Sequence, residues 1–240
     1  MIGLGTIINV AAIVIGGIIG MLFGNFMKES LRDSLNMACG VCVVMIGIAG
    51  TMEGMLSVSD DRVVSGMSML IISCIIPGVI IGEILNIEDG LTAFGEWLKK
   101  KTGNAKEGKF VDGFVTASLT VCIGAMAVVG AIEDGISGDY SILVTKAILD
   151  LIIIAVMSCS LGKGCIFSAI PVAILQGSIT LLAVFIKPVM TPLALDYLSM
   201  IGSILIFCVG VNLMWGHKIK VANMLPAVVL AVALAFTGWF

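Results

Sequence analysis

Apolar residues in this chain come in continuous stretches. Each is close to the length a helix needs to cross a bilayer, about 20 residues for a hydrocarbon core of about 30 Å. Eight such stretches can be drawn, at residues 4–24, 36–56, 64–84, 113–133, 141–161, 164–186, 197–215 and 222–240, with short polar connections except for the run from Ile87 to Asp112. A transmembrane barrel would instead alternate apolar and polar positions over segments of about ten residues. The pattern predicts an all-α polytopic integral membrane protein with about eight transmembrane helices, one integral domain over residues 1–240. The first stretch, MIGLGTIINVAAIVIGGIIG, has no basic leading region and is too long for a cleaved signal, so it reads as a retained first span.

Composition supports this class and narrows the function. Hydrophobic residues make up 59% of the chain and charged residues 12%, with a mean hydropathy of +1.17. A soluble domain carries about 25% charged residues, so this chain cannot clothe its own surface, and the lipid bilayer is its expected partner. A net charge of -3, a single histidine and no basic stripe interleaved with aromatics argue against nucleic acid as a partner. The seven cysteines all fall within or at the ends of apolar runs, where thiols act as small hydrophobes. Cys39 and Cys42 have redox or metal spacing, but no second Cys/His pair accompanies them.

Basic residues orient the spans. With the N-terminus outside, Lys28, Arg32, Lys99, Lys100, Lys101, Lys106, Lys109, Lys163, Lys218 and Lys220 lie in cytoplasmic loops, and only Arg62 and Lys187 lie outside. That follows the excess of Lys and Arg expected in cytoplasmic loops and predicts both termini outside. Tyr140, Tyr197, Trp239 and Phe240 then fall at outer boundaries, and Trp97 and Trp215 at inner ones. Within the long connection, 87–112, the residues Leu91, Phe94, Trp97 and Leu98 share one helical face ahead of three lysines, which predicts a cytoplasmic amphipathic connector lying on the membrane. A shorter amphipathic element is expected at Phe26–Leu35.

Polar residues inside the spans carry the functional clues. Lys146 and Asp150 stand one helical turn apart in the stretch SILVTKAILDLIIIAVMSCSL. Charges at such depth are costly and usually face a bundle interior or a water-filled cavity. Asp150, Gln176 and the Ser118–Cys122–Gly124 region fall near mid-membrane, with Asn9 and Lys146 one to two turns from the outer ends of their helices. If segments 1, 4, 5 and 6 adjoin, these residues surround a polar track. The Glu133-Asp134-Gly135 cluster reads either as an acidic funnel or as a solvated turn. A gapless match of Val41–Ser57 with Val121–Ser137, with GGIIG at 16–20 echoed by GVIIG at 78–82, predicts an internal helix-pair repeat of segments 1–2 in segments 3–4. No Walker sequence, calcium loop, zinc motif or nucleophile elbow occurs, so no enzyme, metal site or cofactor is expected.

Four stretches carry a family likeness: INVAAIVIGGIIG, FVTASLTVCIGAMAVVGAIEDGISGDYSILVTKAILD, SAIPVAILQGSIT and ANMLPAVVLA. Together they resemble the YqgA/YdfK-type bacterial inner-membrane proteins, classed as a domain of unknown function. The resemblance implies one integral domain in a bacterial cytoplasmic membrane and leaves the activity unsettled. Its shared pattern includes Asn9, Ser118, Cys122, Gly124, Asp134, Lys146, Asp150, Gln176 and Pro226.

Two functions are therefore expected to compete. The first is a secondary transporter of a small solute or ion, proton-coupled through Asp150, with Lys146 as its charge partner and Gln176, Asn9 and Ser118 as polar ligands. The second is a non-transporting scaffold or sensor that holds a partner through its cytoplasmic amphipathic segment. Glycine ridges at Gly16, Gly20 and Gly24 would serve close helix packing within a monomer or a homo-oligomer.

Overall fold

The computed structural model describes residues 2–59, 62–104 and 107–239. Lys106 and Phe240, used above to orient the chain, lie outside the described residues. The order of elements is α1 (Leu4–Phe26), α2 (Glu29–Met55), a hairpin of β1 (Leu56–Ser59) and β2 (Arg62–Ser65), α3 (Ser68–Leu85), α4 (Ile87–Lys101), α5 (Phe110–Cys122) and α6 (Ala125–Ile136). There follow α7 (Ser141–Leu161), a 3-10 segment (Gly162–Ser168), α8 (Ala169–Leu181), α9 (Ala183–Ile186), α10 (Pro192–Trp215), a 3-10 turn (Ala222–Met224) and α11 (Pro226–Leu234).

Small residues decide which helices meet. On α1 the stripe Gly5–Asn9–Ile13–Gly16–Gly20–Gly24 faces α7, since positions three and four apart share a helix face. Gly5 rests on Tyr140 and Leu143, Gly16 on the Leu151 backbone, Gly20 on Ala155 and Ser158, and Gly24 on Cys159, so the two helices run parallel. No Cβ fits at Gly16 or Gly20. In lipid, where apolar side chains gain nothing by leaving the solvent, this backbone-to-backbone approach supplies the attraction. α2 and α10 pair by the same device but antiparallel: Gly40 meets Gly210 and Leu213, Gly47 meets Phe207, Gly50 meets Ser203 and Gly54 meets Met200. Gly78 and Gly82 of α3 likewise take Ala227 and Asn223, which sets α11 antiparallel to α3. The outward faces carry exposed stripes such as Ile72, Ile76 and Ile80, a surface made for lipid.

The fold is a polytopic, predominantly helical membrane architecture, but it is not eight regular spans. Five stretches are long and apolar enough to cross a membrane, and a sixth if the bent pair α5 and α6 counts as one, among the described residues. Three expected spans fall short for separate reasons. Segment 113–133 breaks at Gly124, where α5 and α6 meet at 62°. Segment 164–186 opens inside the 3-10 segment that turns the chain back after α7 and only then becomes the thirteen-residue α8. Segment 222–240 holds the nine-residue α11 after a 3-10 turn, with Pro226 at its start.

Other expectations are corrected. The third apolar stretch begins as strand: Val64 and Ser65 belong to β2, Val58 pairs with Val63 and Ser57 with Val64, and α3 starts only at Ser68. Phe26–Leu35 is no separate amphipathic helix, because α1 reaches Phe26 and α2 starts at Glu29. Tyr197, in the second turn of α10, is buried against protein. The expected repeat does not give matching backbones. Residues 41–55 lie in the unbroken α2, whereas 121–137 spans the break at Gly124. The Gly16/Gly20 ridge takes a parallel partner and the Gly78/Gly82 ridge an antiparallel one.

The long connection forms α4 as expected, but much of its apolar face is used internally. Gly95 lets α4 lie close over Val111 and Phe114, Leu98 is buried, and the Phe94 and Phe114 rings stand 5.8 Å apart. Trp97 stays half exposed, stacked on Phe94 at 5.7 Å with the Lys101 ammonium 4.6 Å from its ring.

Candidate functional site

Because α7 is held parallel to α1 along the glycine stripe, its polar residues enter the interior. Lys146 and Asp150, at i and i+4, form a buried ion pair with Nζ 2.8 and 2.7 Å from the two carboxylate oxygens. Both side chains are less than a tenth exposed, so neither charge has solvent or lipid headgroups to offset its desolvation. Asn9 stands on the α1 stripe that faces them, close enough for its amide to interact with Asp150. Cys122, the last residue of α5, is within electrostatic reach of both charges, where α5 packs on α7.

The eighth helix closes the group. Asn9 Nδ2 donates to Gln176 Oε1 at 3.3 Å, and one turn nearer the start of α1 the Thr6 and Thr180 hydroxyls are 3.4 Å apart. α8 therefore runs antiparallel to α1, and the chain reverses direction between α7 and α8. Pro171 falls in the first turn of α8, where its missing N–H costs no helical hydrogen bond. Segments 1, 4, 5 and 6 do adjoin, since α1, α5, α6, α7 and α8 pack around one another.

The helix break lies at the same depth. Gly130 of α6 rests on Ile142 and Leu143, Asp134 holds Gly5 where Gly5 meets Tyr140, and Cys122, two residues before the break, is within electrostatic reach of Lys146 and Asp150, so α6 runs antiparallel to α7 and starts near the level of the pair. Gly124 has φ 144° and ψ 149°, a conformation essentially reserved for glycine. The break leaves the last carbonyls of α5 and the first N–H groups of α6 without intrahelical partners.

Polar capacity is left over here. Asn9 Oδ1, Gln176 Nε2 and Ser118 Oγ are buried and have no hydrogen-bond partner. An unpaired buried polar group costs about 1–3 kcal/mol, so an acceptor, a donor and a hydroxyl stand ready for something small. Of the five residues singled out from sequence, Asn9, Lys146, Asp150 and Gln176 come together. Ser118 does not bond to them; it lies on α5 one turn before Cys122. Among the described residues, no three His, Cys, Asp or Glu side chains converge as metal ligands.

Neighbouring polar residues prove to be staples. Asp134 is fully buried and accepts from the Gly3 and Gly5 N–H groups at 3.2 and 3.0 Å, capping α1, so it is withdrawn from the acidic external cluster. At the opposite end Asn212 folds the following turn, accepting from Lys218 N and Ile219 N, both at 2.9 Å, and donating to the Ile219 carbonyl. Asn223 accepts from Glu88 N at 2.7 Å, and Glu88 accepts from Ala222 N at 2.8 Å. Sequence reasoning missed the Thr6–Thr180 pair, although Thr6 precedes Asn9 by three residues and Thr180 follows Gln176 by four, which places each on its partner's face.

Comparison with known proteins agrees with this architecture. The family described as "Protein of unknown function (DUF554)" matches residues 4–236. The chain belongs to that family. Among its relatives, "Uncharacterized protein YqgA" of Escherichia coli (strain K12) is 29% identical over 243 residues, covering 99% of each chain. "Uncharacterized membrane protein YdfK" of Bacillus subtilis (strain 168) is 28% identical over 232 residues, 97% of this chain and 95% of that one. No solved structure matches this DUF554 chain. Several membrane-spanning helices and whole-length likeness to these bacterial proteins make it a multi-pass protein of the bacterial inner membrane.

Proposed function

We propose that this DUF554 protein is a secondary transporter of a small polar solute or ion, proton-coupled through Asp150. The observation that carries the reading is the buried Lys146–Asp150 pair beside the unpaired Asn9 Oδ1 and Gln176 Nε2, at the depth of the break between α5 and α6. Secondary transporters commonly place their sites near the midplane, beside discontinuous helices whose free backbone groups bind the cargo. In this reading the chain crosses eight times with both termini outside, and segments 4, 6 and 8 are irregular crossings. The alternating directions of α1, α7 and α8, of α2 and α10, and of α3 and α11 support that count. Lys146 balances Asp150 until a proton or an ionic cargo replaces it, and Asn9 and Gln176 hydrogen-bond the cargo.

A scaffold role keeps one supporting observation: the Phe94–Trp97 stack remains partly exposed on α4. The internal docking of Gly95 and Leu98 leaves that surface small.

The deciding experiment is a thermal-stability screen of the protein in nanodiscs, against metabolites and ions at two pH values, followed by flux into liposomes. A ligand that binds only the folded state raises apparent stability. The expected result is a solute whose stabilisation and flux vanish in Asp150→Asn while that variant stays folded. A solute carried equally well by Asp150→Asn would rule out the coupling mechanism.

A further inference from the structure

A cavity away from the ion pair opens at the end of the molecule that holds the α4 lysines. It encloses about 790 Å³ between α4, α5 and the α10–α11 connection. Its deep wall is formed by Val111, Val115 and Thr116 of α5 with Leu161 at the end of α7. Acids and bases mix at its mouth, among them Asp89, Asp112 and Lys218, so the opening presents no single sign of charge.

What lies beyond that wall gives the cavity a meaning. Val111, Val115, Ser118 and Cys122 are spaced i, i+4, i+7 and i+11, one face of α5. The first two line the cavity, the last is within electrostatic reach of Lys146 and Asp150 where α5 packs on α7, and between them Ser118 is 3% exposed with its hydroxyl unpaired. An unpartnered hydroxyl in an apolar wall is a cost that packing alone does not explain. Beyond the pair, Asn9 with Gln176 and Thr6 with Thr180 continue the polar line toward the outer end of α1.

We propose that this cavity is the cytoplasmic mouth of an access route for water and a small hydrophilic solute to the Lys146–Asp150 pair. The route follows the Val115–Ser118–Cys122 face of α5, and Ser118 supplies a hydrogen bond at its narrow point. The structure holds this route open on the cytoplasmic side and shut at the serine. The proposal rests on the transporter reading for its cargo, but access itself can be measured without knowing the cargo.

The test is sided thiol labelling of the full chain in native membranes, with intact cells exposing the outer face and inverted vesicles the cytoplasmic face. A charged, membrane-impermeant methanethiosulfonate is the probe, and peptide mass mapping reads the sites. Thr116→Cys is expected to label rapidly from the cytoplasmic face only. Ser118→Cys and the native Cys122 are expected to label from that same face several-fold more slowly. Because Cys122 needs no substitution, its result does not depend on a variant folding. Labelling of Cys122 and Ser118→Cys only from the outer face would overturn the route. So would their inertness from both faces while Thr116→Cys reacts, which would make the cavity a blind pocket. An unreactive Thr116→Cys in a folded chain would overturn the cavity's role as a mouth. The transporter reading fails separately, if labelling follows the expected order yet no solute shifts stability or crosses the membrane.

Discussion

The α1–α7 and α2–α10 pairs are built by one device and differ in what they enclose. In both, glycines every three or four residues let one helix settle on the backbone of another. Along α2–α10 the polar groups are uncharged and end mostly on their own helix: Thr51 donates to the Gly47 carbonyl and Ser203 to the Ser199 carbonyl, while Asn36 donates across the pair to the Leu213 carbonyl. Along α1–α7 the stripe is interrupted by Asn9, and facing it are two charges of opposite sign held by each other. Close packing in this protein is therefore general, while the concentration of buried polar groups is particular to one pair and to α8 and α5 beside it.

The sharpest way to break the comparison is to unpair the charges. Lys146→Met leaves Asp150 buried without its counter-ion, and removing one partner of such a pair costs about 3–5 kcal/mol. The expected outcome is a large drop in unfolding stability in nanodiscs, most of which returns in Lys146→Met/Asp150→Leu. If the double variant also keeps solute-dependent stabilisation, the pair is only a packing element and α1–α7 is no different in kind from α2–α10.

A smaller effect tests the shared device. Gly16→Leu and Gly47→Leu each force a side chain into backbone, of Leu151 and of Phe207 respectively. Overpacking of this kind costs typically about 1–3 kcal/mol. Similar losses in the two variants, read from unfolding midpoints, would confirm the common scaffold. A well-tolerated change at either position would show that its helix pair is not held by close approach.

The smallest effect lies at the N-terminal end of α7, where the chain approaches the Lys146–Asp150 pair. The hydroxyl and backbone N–H of Ser141 both bond the Asp139 carboxylate, the hydroxyl at 2.6 Å, and hold its pKa below the ordinary 3.8. A depressed folded-state pKa stabilises above the unfolded value and loses that contribution as pH falls through the folded one. Stability should therefore decline slightly more steeply in acid, below about pH 4, in the parent than in Ser141→Ala. Parallel pH profiles would remove Asp139 from the positioning of α7.

Much of this was legible in the chain. Continuous apolar runs announced a helical membrane protein, the glycine spacing announced ridges, and Lys146 with Asp150 at i, i+4 announced a buried pair. The irregular segments were not legible, because composition cannot distinguish twenty apolar residues in one helix from the same residues bent at Gly124. Nor could hydropathy reveal that Asp134, written among loop-like residues, closes the N-terminus of α1 from more than a hundred residues away. Asn9 and Gln176 were each visible as polar residues in apolar runs; their bond to one another was not.

The sequence alone determined the class of solvent for each surface, because burial of about twenty apolar residues at a time leaves only lipid as a partner. It also determined the ion pair, since helical periodicity brings residues four apart together whatever surrounds them. Only the tertiary structure decided which helices share a glycine ridge, and in which direction. That choice depends on backbone shape matching between distant segments, and it alone gathers scattered polar side chains on α1, α7 and α8 into one buried cluster.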